Sequence, residues 1–437
     1  MSDLALPNPL GKDWLSVTGF WRNRITLIAT LIILMGGTGT QALGIDGYYK
    51  NFFVVDHLPE ITNLPRDEQQ LWIGSVSQRL RVNAFQRLTG LLSVNVSYAL
   101  VARVQDPAFF DEEPTLFGET SLIGFIDAAG YRVADLDTTL FPRDPKDIRS
   151  FAMFQNLDRL FVTVSVDWFD LYVGRQAIAW GSARVINPTD VIAPFLYTEL
   201  DTEDRIGVDA ARIRVPLGAL SEFDAGYVAG EDLEFSESAF FLRGKAYAAK
   251  TDLAGLVVGF REHLMIGADV ARAIGGASSW LETAYVFAHA LGGTRSSNDD
   301  DYLRFSVGCD YSFPRNIYAY IEYHFNQAGT DRTGDYWRVV QTPAYLDGSV
   351  YLLGEHYLAP GASIQITPLV TLTAQALVNI TDPSSLFVPV VEYNIKEDVY
   401  LQFGAYLATG KSPEIPVLKS EFGTYPDMIY ASFRIYF

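Results

Sequence analysis

Between residues 190 and 204 the chain carries five carboxylates: Asp190, Glu199, Asp201, Glu203 and Asp204. Elsewhere cationic residues come in pairs two positions apart: Arg79 and Arg81, Arg212 and Arg214, Arg243 and Lys245. Arg103, Arg159 and Arg304 stand among small polar neighbours. A spacing of two places both members of a pair on one face of an extended strand. Acids gathered on one segment and cations aligned on strands have no covalent chemistry of their own. Facing each other across a wet space, they would set up a transverse field that orients dipolar solutes and disfavours apolar ones. The alternative is that these charges only keep an interior hydrated and pair with Asp167, Asp209, Asp224 and Glu322. Neither version gives the sign of an ion preference.

Residues suited to catalysis or metal binding are sparse. The five histidines, His57, His263, His289, His324 and His356, show no metal-ligand spacing. No G-x-S-x-G elbow is present. The single cysteine, Cys309, allows no internal disulfide, no covalent haem and no cysteine zinc site, and reads as a small apolar strand residue. His324 would serve a hydrolase only if a Ser or Asp met it in space; it is read more simply as a polar residue on an alternating strand. No enzymatic role and no cofactor is expected.

Those charges sit in runs of period two. In "YLRFSVGCDYSF", 302–313, Leu303, Phe305, Val307, Cys309, Tyr311 and Phe313 share one face and Tyr302, Arg304, Ser306, Gly308, Asp310 and Ser312 the other. The pattern resumes after "PRN" at "IYAYIEYHFN" and recurs at 157–167 and 369–379. Runs of this kind extend from 45–55 to 427–437, including 170–180 and 349–366. They number about 18, with 16 as the alternative because the boundaries around 253–272 are indistinct. Long and short links alternate between them, as expected of an all-β, transmembrane, antiparallel up-and-down β-barrel. A sheet in hydrocarbon cannot keep an open edge, because an unpaired backbone amide there costs several kcal/mol. "IDGYYKNFFVV" must therefore pair with the terminal "MIYASFRIYF". No fixed repeat suggests a solenoid or propeller.

Bulk properties agree. At 49% apolar residues the chain is no helical membrane bundle, and 14% aromatics suits interfacial girdles. A net charge of −19 argues against a nucleic-acid surface. Arg22, Asn23 and Arg24 precede "ITLIATLIILM", followed by "GGTGTQA", which fits an export signal over residues 1–42, with an uncleaved anchor as the alternative. The barrel would occupy 43–437, with long outer loops at 105–156, 181–205 and 327–348. The first holds ten acidic residues, Asp111, Glu112 and Glu113 among them, against four basic ones, and "SSNDDD" at 296–301 is a second acidic cluster. Such loops are either solvated or bridged to lipopolysaccharide by divalent cations.

The terminal Phe437, with apolar residues at alternating positions before it, resembles the recognition signal of bacterial outer-membrane proteins. That resemblance implies insertion by the barrel-assembly machinery of a Gram-negative cell, with outer-membrane lipid and lipopolysaccharide as surroundings. A second resemblance rests on Gly174, Arg175, Gln176, Trp180, Gly181, Asn187, Pro188 and Asp190. This G-R-Q-x-x-x-W-G…N-P-x-D arrangement is similar to one in a poorly characterised group of porin-like outer-membrane proteins, and implies a barrel pore without naming a solute. On the residues themselves, the segment is either a loop tied down by Asn-Pro turn chemistry with Trp180 as an interface anchor, or a loop over 181–205 that folds inward and narrows the lumen. The expected function is passive diffusion of small hydrophilic solutes or ions, in a single barrel or a homo-oligomer. The alternatives are a sleeve or adhesin that docks a partner protein, for example around an electron carrier, and a barrel hydrolase.

Overall fold

The alternating runs form strands that bond to their sequence neighbours. The structure, a computed structural model, describes residues 43–66, 69, 71–107, 130–136, 138–293, 300–414 and 417–437. The proposed export signal, Asp111, Glu112 and Glu113, and part of "SSNDDD" lie outside them. The strands are β1 (Gly44–His57), β2 (Trp72–Arg87), β3 (Leu92–Gln105), β4 (Thr139–Phe141), β5 (Phe151–Val166), β6 (Phe169–Gln176), β7 (Val208–Pro216), β8 (Glu222–Val228) and β9 (Ala239–Ala248). They continue as β10 (Thr251–Phe260), β11 (His263–Ile274), β12 (Ala277–Phe287), β13 (Tyr302–Phe313), β14 (Ile317–Asn326), β15 (His356–Thr367), β16 (Val370–Asn379), β17 (Ser384–Lys396), β18 (Val399–Thr409) and β19 (Asp427–Tyr436). Setting aside the three-residue β4, which adds onto β5, eighteen antiparallel strands form one closed sheet.

Closure is made by the two runs that the edge argument requires. β1 pairs with β2 on one side and with β19 on the other, from Tyr48 opposite Tyr436 to His57 opposite Asp427. The last residue completes the seam: Phe437 N donates to Gly47 O at 3.0 Å and Gly47 N to Phe437 O at 2.9 Å. The terminal strand is thus bonded on both sides, to β18 and to β1.

Connections at one end are two to five residues long, as at 167–168, 249–250 and 397–398. At the other end they are mostly long, as at 106–150, 177–207 and 327–355, with tight turns at 261–262 and 380–383 the exceptions. The turn at 261–262 separates β10 from β11 and settles the count at eighteen rather than sixteen. Three expected boundaries move. The run taken as 157–167 begins at Phe151, and that taken as 170–180 ends at Gln176. The run at 349–366 begins only at His356, because Tyr336–Val339 (α1) and Pro343–Leu346 (α2) wind the preceding loop inward and residues 347–355 follow as irregular chain.

Register sorts the side chains into two faces. Phe53, Leu80, Leu242, Ile266, Leu281, Ile321 and Phe403 lie exposed on the outside. Trp168, Tyr247, Tyr311 and Tyr393 lie exposed near the short-turn end, where an aromatic girdle belongs. Polar and charged residues occupy the inner face, and inward-folding loops bury many of them.

Candidate pore constriction

Residues 177–207 leave β6 and cross the interior before rejoining the wall at β7. Two glycines make the departure possible. Gly174 has φ +119°, and a Cβ there would sit 2.3 Å from the Leu160 carbonyl oxygen. Gly181 has φ +109°, and a Cβ would meet the Glu282 carboxylate at 2.5 Å. Both positions demand glycine on conformation and on space.

Two buried carboxylates hold the first half of the crossing. Glu282 of β12 accepts from Ser182 N (3.0 Å), Ala183 N (3.1 Å), Asn187 Nδ2 (3.1 Å), Thr189 N (2.9 Å) and Thr189 Oγ1 (2.7 Å). Glu322 of β14 accepts from Arg184 N (2.7 Å), Val185 N (3.2 Å), Ile186 N (3.0 Å) and Trp280 Nε1 (2.9 Å). A loop outside regular structure leaves its amides without strand partners, and these carboxylates satisfy them by charge-assisted bonds. Arg304 adds bonds to the carbonyls of Pro188 (2.7 Å) and Ser349 (2.5 Å), tying this loop to the other inward segment.

The second half is held by cations on the opposite wall. Lys50 Nζ of β1 is 2.8 Å from Asp201 and also bonds Glu203. Arg79 lies 3.5 Å from Asp201. Arg81 bonds Asp158 at 2.6 Å and lies 3.5 Å from Asp204, which also accepts from Tyr48 Oη at 2.8 Å. Tyr436 Oη donates to Glu203 at 2.7 Å. Asp190 pairs within the loop with Arg205. Burial pushes Asp201 up, but the Lys50 and Arg79 cations outweigh it and hold this carboxyl below the usual range. Asp190 behaves oppositely: burial exceeds the pull of Arg205 and raises it to about 6. Glu199 makes no side-chain ion pair among the described residues, and burial, reinforced by Asp201, pushes it up to about 7.

Where a transverse field between separated charges was one expectation and paired charges the other, Asp201, Glu203 and Asp204 lie against wall cations and Asp190 against Arg205 of the loop, because an unpaired charge in a low-dielectric interior is costly. The remaining wall cations are spread along the inner face. Arg103 is buried in the field of Asp56. Arg212 bonds Asp224 at 2.5 Å, and Arg214 and Arg243 share Glu222 at 2.5 and 2.9 Å. Lys245 lies 3.4 Å from Asp252. Glu322, expected as a partner for strand cations, spends its oxygens on the loop amides and the Trp280 indole.

Of the G-R-Q…N-P-x-D residues, Gly181 and Asn187 wrap Glu282, Pro188 accepts from Arg304, and Gln176 Nε2 donates to Ala210 O at 3.2 Å. Arg175 clamps Asp209 and Asp135, both at 2.8 Å, and so fixes segment 130–136 to the wall. Trp180 is not an interface anchor. It is 8% exposed inside the barrel, edge-on to Phe241 with centroids 4.7 Å apart, because the chain has already turned inward at that point. Lys50, Arg205 and Glu282 escaped the sequence-based site, and Glu322 was named there only as a partner for strand cations. Charged inner-face positions on alternating strands are the signal that marks Lys50, Glu282 and Glu322, but alternation names no partner.

His324 meets a serine: Ser306 Oγ lies 2.8 Å from His324 Nδ1. The hydroxyl proton goes to Ile186 O at 2.6 Å, so His324 must be the donor in that contact. A nucleophile–base pair needs the reverse polarity and access, and both residues are buried. The pair fastens loop to wall.

The loop and strands β16, β18 and β19 line an open cavity of about 740 Å³, with Trp180, Tyr197, Glu199, Tyr351, Gln375, Gln402, Tyr406, Tyr430 and Arg434 in its lining. Arg434 is engaged by Gln402, by Ser432 Oγ at 3.1 Å, and by Glu392 at 3.8 Å.

No protein-family model matches the sequence, and no curated protein sequence matches it. Solved structures do. Acinetobacter baumannii OccAB2 superposes with TM-score 0.54 at 9% identity, over 92% of this chain and 99% of that one. A BenF-like porin from Pseudomonas fluorescens Pf-5 gives 0.53 at 9% identity, over 92% and 100%. Pseudomonas aeruginosa OccK2 (OpdF), solved in complex with glucuronate, gives 0.51 at 10% identity, over 90% and 97%. At this identity the likeness is one of fold, and the chain has the closed eighteen-strand β-barrel fold of these outer-membrane porins.

Proposed function

We propose that this chain is a porin of the Gram-negative outer membrane through which small hydrophilic solutes diffuse without energy coupling. One observation carries the reading. A barrel with an apolar exterior has a loop anchored on opposite walls that crosses its interior and leaves a polar cavity beside it. A volume of about 740 Å³ falls within the ~300–1,000 Å³ of small-molecule sites. The crossing over 181–205 sets the constriction, with Glu199 as an acid unpaired among the described residues and Asp190, Asp201, Glu203 and Asp204 holding its shape through ion pairs. The G-R-Q…N-P-x-D residues serve the same end by seating the loop on Glu282. The OccK2 complex with glucuronate supports a solute-sized occupant in a barrel of this fold.

The sleeve reading is weaker on the same geometry. Apolar clusters join loop residues such as Ile178, Ile186, Val191 and Ile192 to the walls, so the chain's own segments occupy the interior that a partner would need. The surroundings in this reading are outer-membrane lipid and lipopolysaccharide, reached through the barrel-assembly machinery. Planar-bilayer recording of the purified barrel tests it. Discrete, ohmic single-channel steps in KCl are expected; a protein that inserts and conducts nothing would refute the pore.

A further inference from the structure

We infer that the cavity beside the crossing loop is a binding site for neutral polyhydroxylated solutes of the saccharide class. This deepens the porin reading and rests on it.

The inference starts from which lining groups have hydrogen-bonding capacity to spare. The cations are already charge-compensated. Arg205 is bound to Asp190 and to the Ala193 carbonyl. Arg184 lies 3.0 Å from Asp310, and Arg434 bonds Gln402 and Ser432 Oγ with Glu392 3.8 Å away. Asp201 and Glu203, on the acid side, are held by Lys50. A solute carboxylate would therefore compete with an acid already beside each of these cations, and that exchange gains little.

The neutral groups are the ones left over. Trp180 and Tyr197 belong to the lining, and their wholly buried Nε1 and Oη have no hydrogen-bond partner among the described residues. Gln375 accepts from Tyr320 at 3.1 Å and Gln402 from Tyr430 at 3.3 Å through their carbonyl oxygens. Their amide NH₂ groups have no protein acceptor among the described residues. Those two glutamines are only part-buried, so their amides stand open to water or to a solute hydroxyl. A hydroxyl both donates and accepts, and can therefore answer an amide N–H and a carboxylate at once. The rings of Tyr351, Tyr406 and Tyr430 add flat apolar surface for the C–H faces of a sugar ring. Glu199, with no ion-pair partner among the described residues, offers a further acceptor.

The test records KCl current through the full barrel in planar bilayers while maltose or gluconate is added to the bath. Maltose is expected to interrupt the current in a concentration-dependent way, with apparent affinity at least about fivefold above that for gluconate. Gln375→Ala and Gln402→Ala, each compared with its own current in KCl alone, should weaken the maltose interruptions by about three- to tenfold, as expected for one lost neutral hydrogen bond. Stronger block by gluconate than by maltose would overturn the saccharide assignment and leave the pore intact. Maltose block unchanged in both variants would also overturn it. Absence of any KCl current would remove the pore and this inference together.

Discussion

Glu322 and Glu282 do at one point each what a whole strand does elsewhere: they satisfy backbone amides. Replacing Glu322 by Ala removes the acceptor for three loop amides and the Trp280 indole. At about 1–3 kcal/mol per orphaned buried donor, the loop should detach rather than endure the loss. Single-channel conductance should rise and become noisy, with little change in the barrel's own melting; a quiet, unaltered channel would show that the loop is held by other contacts. Asp201 poses the opposite case. Asp201→Asn leaves Lys50 and Arg79 with one carboxylate fewer, so the reversal potential in a KCl gradient should move toward anions. Glu199 supplies the pH dependence. Its carboxyl is pushed up to about 7, so it is charged above that pH and neutral below. The charges that face it are Asp201, Arg205 and Arg79. Cation preference should therefore fall as pH drops from 8 to 6, and Glu199→Gln should flatten the curve at the low-pH value.

At the scale of elements, strand faces are set by a local rule and loop courses by distant partners. Side chains alternate with period two, so the greasy face of 302–313 was legible from spacing alone, and β13 places Val307 and Cys309 outward as that spacing requires. The same logic fixes a stability prediction. Phe403 is 54% exposed on the outer face of β18, so Phe403→Arg should cost about 2–4 kcal/mol if that position lies near the bilayer midplane. Urea titration of folding into vesicles reads it directly, and a neutral effect would place β18 away from lipid. Loops carry no such rule. The five acids of 190–204 were visible as a cluster, but the partners of Asp201, Glu203 and Asp204 lie on β1, β2 and β19. Lys50 stands 151 residues from Asp201, and Tyr436 stands 233 from Glu203. Nothing in the spacing of either segment encodes that meeting, which is why spacing left a field between separated charges open where contact pairs were found. The strand at His356 was mis-started for a related reason: residues 349–355 are apolar enough to read as strand, but they turn inward. There Leu353 N donates to Glu421 at 2.9 Å.

At the scale of the whole molecule, the barrel is a solution to a single constraint: backbone in hydrocarbon must be bonded all the way round. One residue reports on its orientation. Cys309 is exposed on the outer face, so a lipophilic maleimide should label it in proteoliposomes and a charged, membrane-impermeant thiol reagent should not. Efficient labelling by the charged reagent would mean that this face meets water. The sequence by itself determined the faces, the alternation of short and long connections and the need for β1 to meet β19, because each follows from local periodicity and from the cost of an open edge. Only the tertiary structure decided where the crossing loop runs, which charges cancel and which neutral groups are left facing the cavity. Those outcomes depend on residues more than a hundred positions apart that become neighbours only when the sheet closes.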